Sequence, residues 1–129
     1  LQFGAPGDVD RARAALDALD AAGVRRIVFS TSGPLPDAPV GVPPIDAKVA
    51  VVAHALGTGR ATVLVPTTYM ENLAAPWSAA RVLAGELPYP VPAEARIAWV
   101  TNDDVARAVE AAFARDAAIG RRVPLGGPE

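Results

Sequence analysis

Residues 61–66 read Ala-Thr-Val-Leu-Val-Pro (ATVLVP), an uncharged and almost wholly apolar run. Successive side chains of a strand point to opposite faces, so a half-buried strand shows a polar residue at every second position. This run does not alternate. It predicts a strand covered on both sides, as in a parallel sheet flanked by helices. Just upstream, Pro43 and Pro44 can open a helix but not continue one, and Gly57 ends it. Within that helix Ile45, Val49, Val52, Ala53 and Leu56 share one face. Further back, Ser30 to Gly41 is a loop rich in Pro, Ser and Gly, and Val24 to Ser30 is β-branched and aromatic, hence a strand. Asp8 is an N-cap for a helix to about Ala22, whose stripe is Val9, Ala12, Leu16 and Leu19, and Gly23 stops it. Gly4-Ala5-Pro6-Gly7 is a turn, and Leu1 to Phe3 reads as the tail of a strand.

Downstream, Thr67 to Gly85 reads as a loop followed by one or two short helices, and Arg96 to Val100 as a strand. Asn102, Asp103 and Asp104 supply the cap and early acids of a helix to about Asp116, and Arg122 to Leu125 is a last short strand. Alternating strands and helices imply right-handed crossovers and an α/β fold, a parallel sheet with helices on both faces.

Composition narrows the function. The chain has 129 residues, which suits one domain, and 12 basic against 14 acidic residues leave a net charge of −2. That near balance argues against nucleic-acid or polybasic membrane partners, and Arg25-Arg26 and Arg121-Arg122 read as isolated pairs. No cysteine is present, which removes disulfides, zinc–thiolate sites and thiol nucleophiles. The longest uncharged run, residues 49–59, is far short of the ~20 residues of a membrane span. No secretory signal fits the start, where Asp8, Asp10 and Arg11 come early, so a cytoplasmic location is expected. A chain opening on Leu1 reads as processed or as a piece of something longer.

In an open parallel sheet, ligands sit at the carboxyl ends of the strands. Those ends are Phe3-Gly4, Ser30-Thr31-Ser32 and Pro66-Thr67-Thr68. Their hydroxyls suit a polar ligand, and equally suit satisfying loop backbone. Lys48 is the single lysine among eleven arginines. At about 100° per residue it lies about 40° from Val52 and about 60° from Ile45. It flanks the buried stripe, where a lysine can run its stem along the sheet and present its ammonium to a cleft. His54 lies about 180° from Ile45 and is expected to face solvent, which removes Ser-His hydrolase schemes. Asp103-Asp104 reads as helix capping rather than a metal pair, and Trp77 and Trp99 as packing residues.

Four stretches, in order, resemble the NmrA-like family, an atypical branch of the short-chain dehydrogenase/reductases. They are AGVRRIVFSTSGP (residues 22–34), PIDAKVAVVAHALG (44–57), VLVPTTYMENL (63–73) and IAWVTNDDVARAVE (97–110). The resemblance implies a Rossmann-like NAD(P)-binding fold. It implies that Lys48 contacts the nicotinamide ribose, that Ser30 and Thr31 lie beside the nicotinamide, and that Pro66, Thr67 and Thr68 approach the carboxamide. Phe3 and Gly4 would also border the cofactor, with Tyr69, Met70 and Asn72 on the side of a small-molecule substrate. No catalytic residue and no metal ligand is assigned. The 129 residues then form a single partial domain, with a nicotinamide-side half (1–75) and a small substrate-side part (76–129).

Two departures stand out. Where the superfamily carries a proton-transferring Tyr four residues before the lysine, this chain has Pro44. A glycine-rich phosphate loop of the kind a dinucleotide fold needs after its first strand is also missing. Gly57-Thr58-Gly59 follows a helix, and the turn Gly4 to Gly7 is followed by Asp8, which would repel a phosphate. The strands holding adenine and pyrophosphate are therefore expected upstream of Leu1, and this chain alone is expected to bind NADPH weakly or not at all. The function expected is an NAD(P)H-dependent reductase of a small organic substrate such as a quinone. The alternatives are a non-catalytic redox sensor or an inactive fragment.

Overall fold

The computed structural model describes residues 7–87, 89–92 and 94–127. Helix α1 spans Asp8–Ala21, strand β1 Ile27–Ser30, helix α2 Pro43–Gly57 and strand β2 Ala61–Pro66. Strand β3 (Thr68–Tyr69), a 3-10 turn (Met70–Ala74), helix α3 (Ala79–Leu83) and strand β4 (Trp99–Val100) follow. Helix α4 spans Asn102–Ala114, a second 3-10 turn Asp116–Ala118, and strand β5 Arg122–Leu125.

The main sheet is parallel with order β1-β2-β5, and β3 and β4 form a separate parallel pair. The central strand is the run ATVLVP, with the boundaries expected of it. Its two faces are used differently. Ala61 and Val63 pack under α2 with Val49, Val51, Val52 and Ala55, and Ala12 and Leu16 of α1 extend that core. Thr62 and Leu64 point the other way, where Thr62 Oγ1 donates to Ala118 O at 2.8 Å and Leu64 lies beneath α4. Helices thus cover both faces, and the α/β Rossmann-like reading holds. Two strands of the main sheet contain a proline that fits. Pro66 ends β2, and Pro124 sits in a strand whose far side has no strand partner among the described residues, so its missing N–H breaks no ladder bond.

Several boundaries shift for local reasons. Gly7, in the left-handed region at φ 81°, occupies the cap position of α1, and Asp8 is its first residue, buried and paired with Arg11. Gly23 (φ 74°) ends α1 as expected, with Val24 N–H donating to Leu19 O across the turn. β1 starts only at Ile27, where pairing with β2 begins. Likewise Arg96 to Ala98 lie outside β4, and Thr68–Tyr69, expected within a loop, is a strand because it pairs with Trp99–Val100. The last long helix stops at Ala114 and Asp116 opens a 3-10 turn.

On α2, Ala53 is exposed, whereas Val51 and Ala55 are fully buried. His54 lies at the surface as expected, and there its Nε2 meets the exposed Asp17 Oδ1 of α1 at 2.6 Å. α2 packs against α1 as well as the sheet, so its buried arc is rotated toward Val51 and Ala55 and away from Ala53. On α1, Leu19 remains 40% exposed, and the expected strand at Leu1 to Phe3 lies outside the described residues. No helix of the described residues is long and apolar enough to cross a membrane.

Candidate functional site

The carboxyl ends of β1 and β2 lie side by side, since Ser30 pairs with Leu64. Immediately beyond, Thr31 N–H donates to Leu64 O at 3.0 Å, extending the ladder by one bond. Thr31 is buried, and its Oγ1 donates to Gly33 O at 2.5 Å. Ser30 Oγ accepts from Ser32 N–H at 3.3 Å. Between these bonds Ser32 is held at φ 58°, a left-handed conformation unusual for a residue other than glycine. The chain therefore turns away from the strand end sharply.

Lys48 reaches this point from α2. It sits about one turn into the helix, half-buried, and its Nζ donates to Thr31 O at 3.2 Å. That contact uses one of three ammonium hydrogens, and Lys48 makes no ion pair among the described residues. The carboxylate closest to it in sequence, Asp46, is occupied elsewhere: it accepts from Val40 N–H at 2.7 Å and Gly41 N–H at 3.0 Å. An uncompensated cation with spare donors thus stands beside a polar strand end.

The end of β2 carries a second unmet group. Thr67 N–H donates to Leu125 O at 2.8 Å, but Thr67 Oγ1 is buried and has no hydrogen-bond partner among the described residues. A buried hydroxyl without a partner costs about 1–3 kcal/mol, so its retention calls for an explanation. Gly126 leaves room beside it, since an added Cβ would stand 3.5 Å from Thr67 Cγ2 and 3.6 Å from Ala98 Cβ.

The expected site residues therefore fall into two groups. Ser30, Thr31 and Lys48 meet at one strand end, and Pro66, Thr67 and Thr68 follow the neighbouring strand. Tyr69 continues β3, and Met70 opens the 3-10 turn with 47% of its surface exposed. Asn72 is engaged: its amide donates to the Tyr89 hydroxyl at 2.7 Å, within an aromatic row of Trp77, Tyr89 and Trp99. Phe3 and Gly4 lie outside the described residues.

Sequence reading missed how the second group is held. Glu71 accepts from Asn102 N–H at 2.7 Å, tying the 3-10 turn to the start of α4. Gly127 N–H donates to Trp99 O at 2.7 Å. A Cβ on Gly127 would stand 2.3 Å from that same oxygen, so the close approach requires glycine. The cap of α4, expected from Asn102, Asp103 and Asp104, is instead Thr101, whose Oγ1 accepts from Asp104 N–H at 3.1 Å in a capping box. The Thr101 hydroxyl also donates to the Asp104 carboxylate, and this bond, joined by one from the Thr101 backbone, lowers the Asp104 pKa below 3.8.

A parallel α/β sheet whose strand ends gather hydroxyls around a helix-borne lysine belongs to the Rossmann-like class. Residues 7–126 match the sequence profile of the NmrA-like family, and the chain belongs to that family. Membership points to an NAD(P)-binding protein. No curated protein matches the chain.

Proposed function

We propose that the ends of β1 and β2 receive the nicotinamide half of NAD(P). The observation that carries this reading is the pairing of two unmet groups on adjacent strand ends: the Lys48 ammonium at Thr31 and the buried Thr67 hydroxyl. A nicotinamide riboside offers the complementary set, with ribose hydroxyls as acceptors and a carboxamide that both donates and accepts. Lys48 would hold the ribose. Ser30 and Thr31 would border the ring, and Pro66, Thr67 and Thr68 the carboxamide. The Thr31 hydroxyl and N–H are taken by Gly33 O and Leu64 O, so Thr31 would serve there by holding Lys48 through its carbonyl. When bound, the cofactor supplies hydride chemistry, and these residues supply position and charge.

On this reading the protein is an NAD(P)H-dependent reductase of a small organic substrate such as a quinone. Tyr69, Met70 and Asn72 would lie toward that substrate, and no metal is required. One observation favours a second reading, a sensor of the redox state of NAD(P). Pro44 stands in the first turn of α2, one turn before Lys48, where the superfamily's proton-transferring Tyr would be. Proline has no acidic group to replace it.

NADPH oxidation over a panel of quinones, followed by absorbance and paired with calorimetric binding, separates the two. Turnover that Lys48→Met reduces by about tenfold or more supports the reductase, since a hydrogen bond to a charged group is worth about 1.5–3 kcal/mol. Binding without oxidation supports the sensor. Neither binding nor turnover at saturating NADPH overturns the site.

A further inference from the structure

Parallel strands all begin at one end of the sheet, so residues that precede each strand converge there whatever their separation in sequence. Arg25-Arg26 precede β1, Arg60 precedes β2 and Arg121 precedes β5. Their backbones are directly linked: Ile27 N–H donates to Arg60 O at 3.0 Å and Val63 N–H to Arg121 O at 2.9 Å. Arg25, Arg26, Arg60 and Arg121 therefore come together at the opposite end of the strands from Lys48, whereas the Arg122 side chain reaches the loop at Leu35 to Asp37.

Some of these guanidinium groups are spent. Arg26 is held by Asp116 and Phe113 O, and Arg60 meets Asp20 at 2.9 Å and Val24 O at 3.0 Å. Arg122 is turned to Asp37 at 2.6 Å. Arg25, Arg115 and Arg121 are different: each is exposed and has no partner among the described residues. They border two grooves that flank the turn Asp116–Ala118. Arg25 lines the first with Val24, Ile119 and the Arg26–Asp116 ion pair, in which the Asp116 charge is already matched, and Arg115, Arg121 and Arg122 line the second. The floor of the second is apolar and shallow-sided, with Leu64 and Val123 from the sheet and Ala108, Ala111 and Ala112 from α4.

Arginine over an apolar floor is the composition of a protein-binding surface, because guanidinium is weakly hydrated and pairs well with carboxylates. Alanine walls let a helix come close. We propose that this end of the sheet docks an acidic, amphipathic segment of a protein partner. Its apolar side chains would lie on the alanine floor, and its carboxylates would pair with Arg25, Arg115 and Arg121. Nucleic acid fits less well, since a phosphate track needs more free cations and no apolar floor.

The test is fluorescence anisotropy of the full chain with a labelled amphipathic helical peptide of Leu and Glu. We expect saturable binding that weakens as salt rises. The triple charge reversal Arg25→Glu/Arg115→Glu/Arg121→Glu should weaken it at least about tenfold, with the far-ultraviolet circular dichroism unchanged. Arg13→Glu, on exposed α1, should leave affinity as it was. A peptide with Gln for Glu should bind at least about tenfold more weakly to the unaltered chain, a readout independent of how the variant folds. Equal binding of the Glu and Gln peptides, or no binding, overturns the proposal. Tighter binding of a DNA duplex than of the Glu peptide overturns its assignment to a protein partner. None of these outcomes depends on the cofactor site.

Discussion

The segments 27–66 and 68–101 border the same strand ends but are held by different physics. The first is a strand, a helix and a strand whose apolar residues interlock, with Val51, Ala55, Ala61 and Val63 fully buried. The second contains two-residue strands, a 3-10 turn and a five-residue helix, and among its buried residues are Ser78 and Val100. It leaves Met70, Trp77, Leu83, Leu87 and Val91 exposed. Its order comes from individual ties: Asn72 to Tyr89, Glu71 to Asn102, Ser78 Oγ to Asn72 O, and Gly127 to Trp99. A scaffold built on area resists the loss of any one bond, whereas one built on ties yields locally. That suits the first segment to hold a cofactor and the second to adapt to a substrate.

The largest effect should come from Leu64→Ala. Leu64 is 1% exposed at the centre of the main sheet, and its truncation should cost about 2–5 kcal/mol in urea unfolding, lost cooperatively across the chain. Gly127→Ala should come next, at about 1–3 kcal/mol, because a methyl group cannot share space with Trp99 O. Hydrogen exchange should show its effect confined to β3, β4 and the start of α4. Equal deprotection of β2 would erase the contrast between the segments. Tyr89→Phe removes the acceptor of the Asn72 amide and should cost about 1 kcal/mol, again locally, with a change in tryptophan fluorescence from Trp77 and Trp99.

The smallest effect concerns pH. The Asp104 carboxyl has its pKa lowered in the folded chain, chiefly by the hydrogen bond from Thr101. Its contribution is therefore present above its ordinary pKa of 3.8 and is lost as pH falls through the lower folded value. Acid unfolding of α4, followed by circular dichroism, should steepen below about pH 4 and lose that limb in Asp104→Asn. An unchanged acid limb would remove the capping box from the account.

The same contrast governs what the sequence reveals. ATVLVP, the stripe of α2 and the punctuation at Gly23 and Gly57 are periodic or local signals, and the segment they specify was readable with its central strand placed correctly. Lys48 was legible because helical geometry alone puts it on the flank of a buried stripe. The tied segment was not, since nothing local in Thr68–Tyr69 announces a strand whose only reason is Trp99–Val100. Likewise the rotation of the buried arc on α2 toward Val51 and Ala55 depends on where α1 packs. The arginine surface was hidden for a third reason: its members come from four separate stretches and meet only because the strands run parallel.

The central claim is that the strand ends at Thr31 and Thr67 receive a nicotinamide. Its most direct test is a residue-resolved NMR titration of the isotope-labelled chain with NADPH at millimolar concentration, suited to the weak binding expected. Saturable amide shifts are expected at residues 30–33 and 67–69 and at the Lys48 turn of α2, abolished in Lys48→Met and kept in the triple arginine variant. Shifts confined to the arginine surface, or shifts at the strand ends that survive Lys48→Met unchanged, would contradict the claim.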